Sequence, residues 1–382
     1  MDSIDVKTRP TTILDLVMST IGRILISVFV PVVTFVVLWQ GFIFLRDSEA
    51  PKVIIALVAI IWGVGGVAIL YVVSNWLIEQ LSPTWIRRLQ PFVFVGPAMA
   101  ILAWYLALPT LRTFWISLQS NDGSKIVWFA NYVSVFREGD MLEALKNNIL
   151  IWVVVGATFC VVFGLLIAVL ADRSRFETFA KAMIFLPMAI SLVGAGVIWN
   201  FVFEVKQAGD PQIGLLNQIW VMLGGEPQPW TALTHHLFSV GWMPTVNNLF
   251  LVLIVVWLQT GYAMVLFSAA IKGIPSELLE AARVDGANEV QIFFKIMIPY
   301  IMGTIITVST TIIIFTLKIF DVVMVMTGGG QFGTHVIATE FYRQLFTYRN
   351  PGFGSAIAIL LLIAVIPVMA YNLKQFAKQE AF

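Results

Sequence analysis

Long apolar runs, each fenced by charged residues, constrain this chain more than any other feature. Ile24–Leu45 lies between Arg23 and Arg46, Val53–Ile78 between Lys52 and Glu79, and Leu89–Leu111 between Arg88 and Arg112. Asn147–Ala171 lies between Lys146 and Asp172, and Ala182–Phe203 between Lys181 and Glu204. Leu249–Ile271 stops at Lys272, Ile296–Met326 is charged only at Lys318 and Asp321, and Asn350–Leu373 stops at Lys374. About 20 apolar residues in a helix cross the hydrocarbon core of a bilayer. In lipid, only helices and closed barrels satisfy their own backbone. The pattern predicts an all-α polytopic membrane protein with eight transmembrane helices. Composition agrees: 12% of residues are charged, against about 25% in soluble domains.

Eight spans place both termini on one side. With the termini inside, the inner segments hold 13 Lys and Arg and the outer segments 9, with Lys318 intramembrane. The outer loops are much longer, so the contrast in density is larger, and both termini are expected in the cytoplasm. No small-residue cleavage site follows the basic stretch near Arg23 before Arg46, so the first run is expected to stay as a helix. A net charge of +1 offers nothing to nucleic acid. Cys160 is the only cysteine, which rules out an intrachain disulfide, and His235, His236 and His335 form no metal-ligand motif. The outer segment Glu204–Asn248, with Trp220, Trp230 and several prolines, reads either as a platform for a partner or as a disordered connector.

One inner segment is unlike the rest. "ELLEAARVDGANEVQIFFKIMIP", Glu277–Pro299, is polar and helix-forming, and Gly286 breaks it. Ile274-Pro275 ends the preceding helix. Ser276 is a plausible N-cap, and Glu277 lies in the first turn, where the helix dipole favours an acid. Leu278, Leu279, Ala282 and Val284 form an expected apolar stripe, Gly286 suits a left-handed cap, and a second helix is expected from near Ala287. Physics alone leaves two readings: an amphipathic connector on the membrane surface, or a docking surface made approachable by Ala281, Ala282, Gly286 and Ala287.

The residues Glu280, Ala281, Ala282, Asp285, Gly286, Ala287, Phe293, Ile296 and Pro299 fall in register with a known pattern. They resemble the E-A-A-x-x-D-G-A loop of permease subunits in bacterial ABC importers that use a separate binding protein. The resemblance implies that this loop couples the permease to an ATPase subunit by sitting in its cleft. A second motif, "FDVVMVMTGGG" from Phe320 to Gly330, is similar to a segment of sugar permeases of the maltose type, with Gln331 where that family usually has proline. Tyr342 and "PGFGSAIA", Pro351–Ala358, fit the same pattern. The resemblance runs from about Phe92 to Phe382 and implies a type I ABC importer permease fold. It implies two accessory helices within residues 1–88, as in the larger maltose permease subunit, and a six-helix core over 89–382. Within that core, 147–373 corresponds to the permease domain and 272–298 to the coupling loop. The extended N-terminus and long outer loops look most like α-glucoside permeases.

The same resemblance implies the partners: a second related permease, a dimer of ATP-binding subunits on the cytoplasmic side, and a periplasmic or extracellular sugar-binding protein, all at the bacterial inner membrane. No G-x-x-x-x-G-K-[ST] occurs here, so ATP and magnesium are expected to be used by the partner ATPase, with no cofactor or metal bound by this chain and no catalytic residue in it. By position, Leu258, Gln259, Tyr262, Ile312, Phe315, Thr316, Ile319 and Asp321 resemble the sugar-contact residues of the larger maltose permease subunit. Leu258, Tyr262 and Phe315 keep the family's residue type. Gln259, Ile312, Thr316, Ile319 and Asp321 depart from it, which points away from maltose itself. Lys318 and Asp321 are spaced to pair on a helix, either in the path or as a structural ion pair. Rival readings are a permease for glycerol 3-phosphate or another small solute, a secondary transporter, and a membrane enzyme. The chain offers no convincing internal repeat to the second of these and no catalytic cluster to the third.

Overall fold

The computed structural model describes residues 29, 32–79, 83–172, 174–207 and 209–379. Helices make up the regular structure of the described residues, with no β-strand among them and isolated bridges at Gln119–Ile126 and His236–Thr245. The chain divides into two compact units, Met1–Thr110 and Leu111–Phe382.

In the first unit, helix α1 (32–47) runs into α2 (Lys52–Glu79). Trp62 Nε1 donates to the Leu38 carbonyl, and Gly66 of α2 faces Leu38. Only Gly66 and Ile78 of α2 are buried in the protein. A helix apolar on all sides and bare on most of them suits lipid. Helix α3 (Pro83–Ser117) starts in this unit, where Tyr71 stacks on Phe94 at 5.9 Å. The first expected span, Ile24–Leu45, includes residues outside the described set, as do both termini.

The second unit continues with α4 (Ala130–Val135), α5 (Gly139–Asp172), α6 (Glu177–Ala189), α7 (Leu192–Phe203) and α8 (Leu215–Met222). Then come α9 (Asn247–Lys272), α10 (Ser276–Val284), α11 (Glu289–Tyr300) and α12 (Met302–Leu317). Finally α13 (Asp321–Thr327) and α14 (Ile337–Tyr342) lead to α15 (Pro351–Gln379). Fourteen of the 26 residues of α9 are buried, so it is the shaft on which the others assemble. Helix α5 runs parallel to it: Gly156 lies against Val252 and Gly164 against Ala263 and Met264. A Cβ at Gly164 would collide with the Ala263 methyl, so the absence of a side chain sets how closely these helices approach. Trp152, Leu251, Ile254, Met264, Phe267 and Ile312 fill the core around this contact.

Among the described residues, five helices are long and apolar enough to cross a membrane: Lys52–Glu79, Pro83–Ser117, Gly139–Asp172, Asn247–Lys272 and Pro351–Gln375. Two of the expected spans are not straight. Helices α6 and α7 meet at 103°, and α11 and α12 at 72°, which gives up to seven spans among the described residues if each pair is one. The first bend has a local cause. Pro187 lies in a tight 3₁₀ turn, Ile190 is extended, and Ser191 caps α7 by accepting from Gly194 N–H at 3.0 Å. A further break separates α12 from α13. It puts Lys318 at the end of one helix and Asp321 at the start of the next, so the expected pairing along one helix does not form, and no ion pair joins them among the described residues.

The 204–246 segment is folded, which overturns the disordered-connector reading. Asn217 donates to the carbonyls of Glu204 and Gln228, both at 3.0 Å, and accepts from Gln228 N–H. Trp220, Trp230 and Phe250 form a chain of ring contacts that ties the segment to α9.

Candidate functional site

Gly273 and extended Pro275 end α9 and begin α10, with Pro275 rather than Ser276 in the N-cap position and no side-chain cap. The orphan amides of this helix start have Glu277 in the first turn as their electrostatic complement. At the other end Gly286 adopts φ = +83°, Gly286 N–H donates to Arg283 O at 3.1 Å, and Ala287 N–H to Ala282 O at 2.9 Å. This is a Schellman stop, and a left-handed residue closes it. Helix α11 starts at Glu289, two residues after the expected Ala287. Its cap is reciprocal: Asn288 Oδ1 accepts from Gln291 N–H, and Gln291 Oε1 from Asn288 N–H, each at 2.9 Å. Arg283 pairs with Glu289 at 3.1 Å across the turn.

The two helices, joined by this turn, present two faces. Ile274, Ala282, Ile292, Met297 and Ile301 are buried together, and Leu279, Ala287, Phe293 and Ile296 pack on them. The same cluster includes Leu165 of α5, Ala270 and Ile271 of α9, and Ile305 of α12. Glu280, Ala281, Asp285, Gly286 and Pro299 are exposed. The expected stripe therefore splits. Leu279 and Ala282, three apart, share the inner face, while Leu278 is half-exposed and Val284 is 88% exposed. The outer face thus exposes Val284 beside Glu280, Asp285 and small residues, and the inner face packs on α5, α9 and α12. Beside it, Lys181 of α6 bonds Asp172 and Ser268 and pairs with Glu177 at 2.6 Å, and Lys272 also pairs with Glu177. These bonds tie together the ends of α5, α6 and α9.

The expected path residues separate into two groups. Leu258, Ile312 and Ile319 are buried in the central apolar cluster, with Tyr262 and Phe315 packed on it. Thr316 is fully buried and donates its hydroxyl to Ile313 O of its own helix at 3.1 Å. Gln259 and Asp321 are partly exposed.

Sequence reading missed a set of buried asparagines: Asn147, Asn148, Asn247 and Asn248, all without exposed surface. They form two Asn-Asn pairs, one in the third turn of α5 and one opening α9. Asn148 donates to Thr316 O and Leu317 O, at 3.3 and 3.2 Å, and accepts from Ile337 N–H at 2.8 Å, bracing the break between α12 and α13. Asn147, Asn247 and Asn248 donate to carbonyls of the 332–335 turn. The signal was there, as amides at the mouths of two apolar runs, but their partners lie some 85 to 190 positions away.

Residues 160–379 match the family model of the binding-protein-dependent transport system inner membrane component. This chain belongs to that permease family. The permease is 49% identical over 290 residues to the osmoprotective compounds uptake permease protein GgtC of Synechocystis sp., covering 75% of this chain and 99% of that protein. It is 44% identical over 295 residues to the alpha-glucoside transport system permease protein AglF of Rhizobium meliloti, covering 77% of this chain and 84% of that one. Its fold is similar to a chain in the crystal structure of a bacterial ABC transporter involved in the import of the acidic polysaccharide alginate. There the TM-score is 0.62 at 17% identity, over 77% of this chain and 99% of that chain. The permease is thus the all-helical membrane component of an ABC importer and not its ATPase.

Proposed function

We propose that this permease is one of two related subunits that enclose the translocation path of an ATP-driven, binding-protein-dependent importer for an uncharged α-glucoside, a di- or oligosaccharide. The observation that carries the coupling part is the two-faced segment from Ser276 to Pro299. Its exposed Glu280, Ala281, Asp285 and Gly286 meet the ATPase subunit, and its buried Ala282, Ala287 and Phe293 hand the displacement to α5, α9 and α12. ATP and magnesium belong to that partner dimer. The loop then faces the cytoplasm of the bacterial inner membrane, as do both termini, and a sugar-binding protein delivers cargo from the other side. Residues 1–88 contribute the accessory helices and 89–382 the permease core.

The relatives' names supply the cargo class. One is named for alpha-glucosides and one for osmoprotective compounds. A small uncharged α-glucoside satisfies both. The path reading keeps Leu258, Gln259, Tyr262, Ile312, Phe315, Thr316, Ile319 and Asp321, with Tyr262 and Phe315 offering rings to sugar C–H faces, and Gln259 and Asp321 offering hydrogen bonds to hydroxyls. The two charges at the α12–α13 break, Lys318 and Asp321, have opposite sign, which argues against a path lined for a phosphate dianion.

The test is ATP hydrolysis and solute uptake by the chain co-expressed with its genomic neighbours and reconstituted in vesicles. Sucrose, trehalose and maltose would be compared with glycine betaine and glycerol 3-phosphate. Stimulation by α-glucosides alone is the expected result. Stimulation by betaine or glycerol 3-phosphate alone would refute the cargo assignment.

A further inference from the structure

A cleft of about 210 Å³ opens between the first turns of α5 and the 236–245 hairpin, and no residue assigned to the path or to coupling lines it. The hairpin is well braced. His236 and Thr245 form an antiparallel bridge, Leu237 N–H donates to Pro244 O at 3.0 Å, and Phe238 and Ser239 turn the chain with positive φ. The brace holds the Trp242 ring, 59% exposed, at the rim. Across the gap, Glu143, Lys146 and Asn147 share one face of α5 at i, i+3 and i+4. Glu143 and Lys146 make no ion pair with each other. Asn147 is fully buried. Its amide nitrogen is spent on Gly333 O and His335 O, at 3.0 and 2.8 Å, and its Oδ1 is buried without a partner. His236 Nδ1 lies 2.5 Å from Met243 O, which only accepts, so this nitrogen is the donor, and Nε2 is left for other contacts.

We infer that this cleft is a subsite for a single pyranose ring of an uncharged sugar. The inference rests on the sugar-importer reading above and adds to it a site lined by none of the proposed path residues. An indole face stacks on the apolar C–H face of a pyranose. A carboxylate, an ammonium, an imidazole and an amide around it meet hydroxyls, which both donate and accept. Carboxylate and ammonium side by side leave no net field for an anion. A single indole is not the cage of aromatic faces that quaternary ammonium ligands favour. The volume suits one pyranose ring, the unit the subsite grips.

The assembled importer in lipid nanodiscs, without ATP or binding protein, is titrated with methyl α-D-glucoside, and binding is read by saturation-transfer NMR. Trp242→Ala and Glu143→Gln are compared with wild type. Both positions reach the cleft surface, and size-exclusion of the whole complex checks assembly. Binding to wild type that weakens tenfold or more in both variants, with Trp242→Phe retaining most of it, supports the subsite. Binding unchanged in both variants overturns it, as does glycine betaine competing as well as the sugar. If wild type imports α-glucosides but shows no binding of methyl α-D-glucoside in this state, the subsite fails while the importer reading stands. If α-glucosides are neither bound nor imported, both fail.

Discussion

Gly286 sits in the left-handed region at φ = +83°, with open space around the position where a Cβ would be, so backbone strain is the whole effect of adding one. Gly286→Ala is expected to cost about 1–2 kcal/mol, a factor of about 5–30 in the local opening equilibrium. Amide exchange across residues 284–291 should rise by that factor; unchanged exchange would mean the Schellman stop does not hold the turn. Asn148 is the second critical residue. Asn148→Leu removes bonds to Thr316 O and Leu317 O and strands the buried Ile337 N–H. The expected loss is about 2 kcal/mol, read as a lower thermal midpoint of the purified chain and faster exchange at Ile337. The two residues differ in how legible they were. Gly286 was readable because its signal is local: a helix former, a glycine and a cap residue within a few positions. Asn148 was not, because its partners belong to helix ends far along the chain that meet it only after folding.

The apolar centres of the straight spans followed from charge spacing, since charge is costly inside lipid, although the helices run on past those charges, α3 through Arg88 and Arg112 and α5 through Lys146. The bends did not, because each depends on a short polar or proline-bearing stretch inside an otherwise apolar run. Ser191 and Ile301 mark two of them, and neither interrupts the hydrophobic pattern. The path residues show the same limit. Six of the proposed path residues fall on α9 and α12, whereas the break that leaves Ile319 between helices and puts Asp321 at the start of α13 was not readable. Where α5 ends, α6 begins and α9 ends, the ionic cluster grades its members by shelter. The Lys181 and Asp172 side chains are 17% and 13% exposed, against 55% for Lys272. Lys181→Met leaves Asp172 sheltered and unpaired, at an expected cost of about 3 kcal/mol. Lys272→Met removes an exposed partner, at about 1 kcal/mol or less. Thermal melts of the two variants check the ranking, and equal losses would show that the cluster is held by solvent rather than by burial.

For the molecule as a whole, the proposed function joins the membrane component of an ABC importer to a segment whose exposed face is proposed to meet the ATPase. The decisive measurement is sugar-stimulated ATP hydrolysis together with uptake, in vesicles holding the chain and its partner subunits. Wild type is compared with Glu280→Lys and Gly286→Pro. Glu280 is exposed, so reversing its charge leaves the core untouched. Proline at 286 cannot adopt the observed φ and breaks the turn between the two faces. Both variants are expected to insert and assemble, and both to lose stimulated hydrolysis and uptake by tenfold or more. Uptake that survives both substitutions, or solute movement by this chain without any ATPase, would contradict the proposed function.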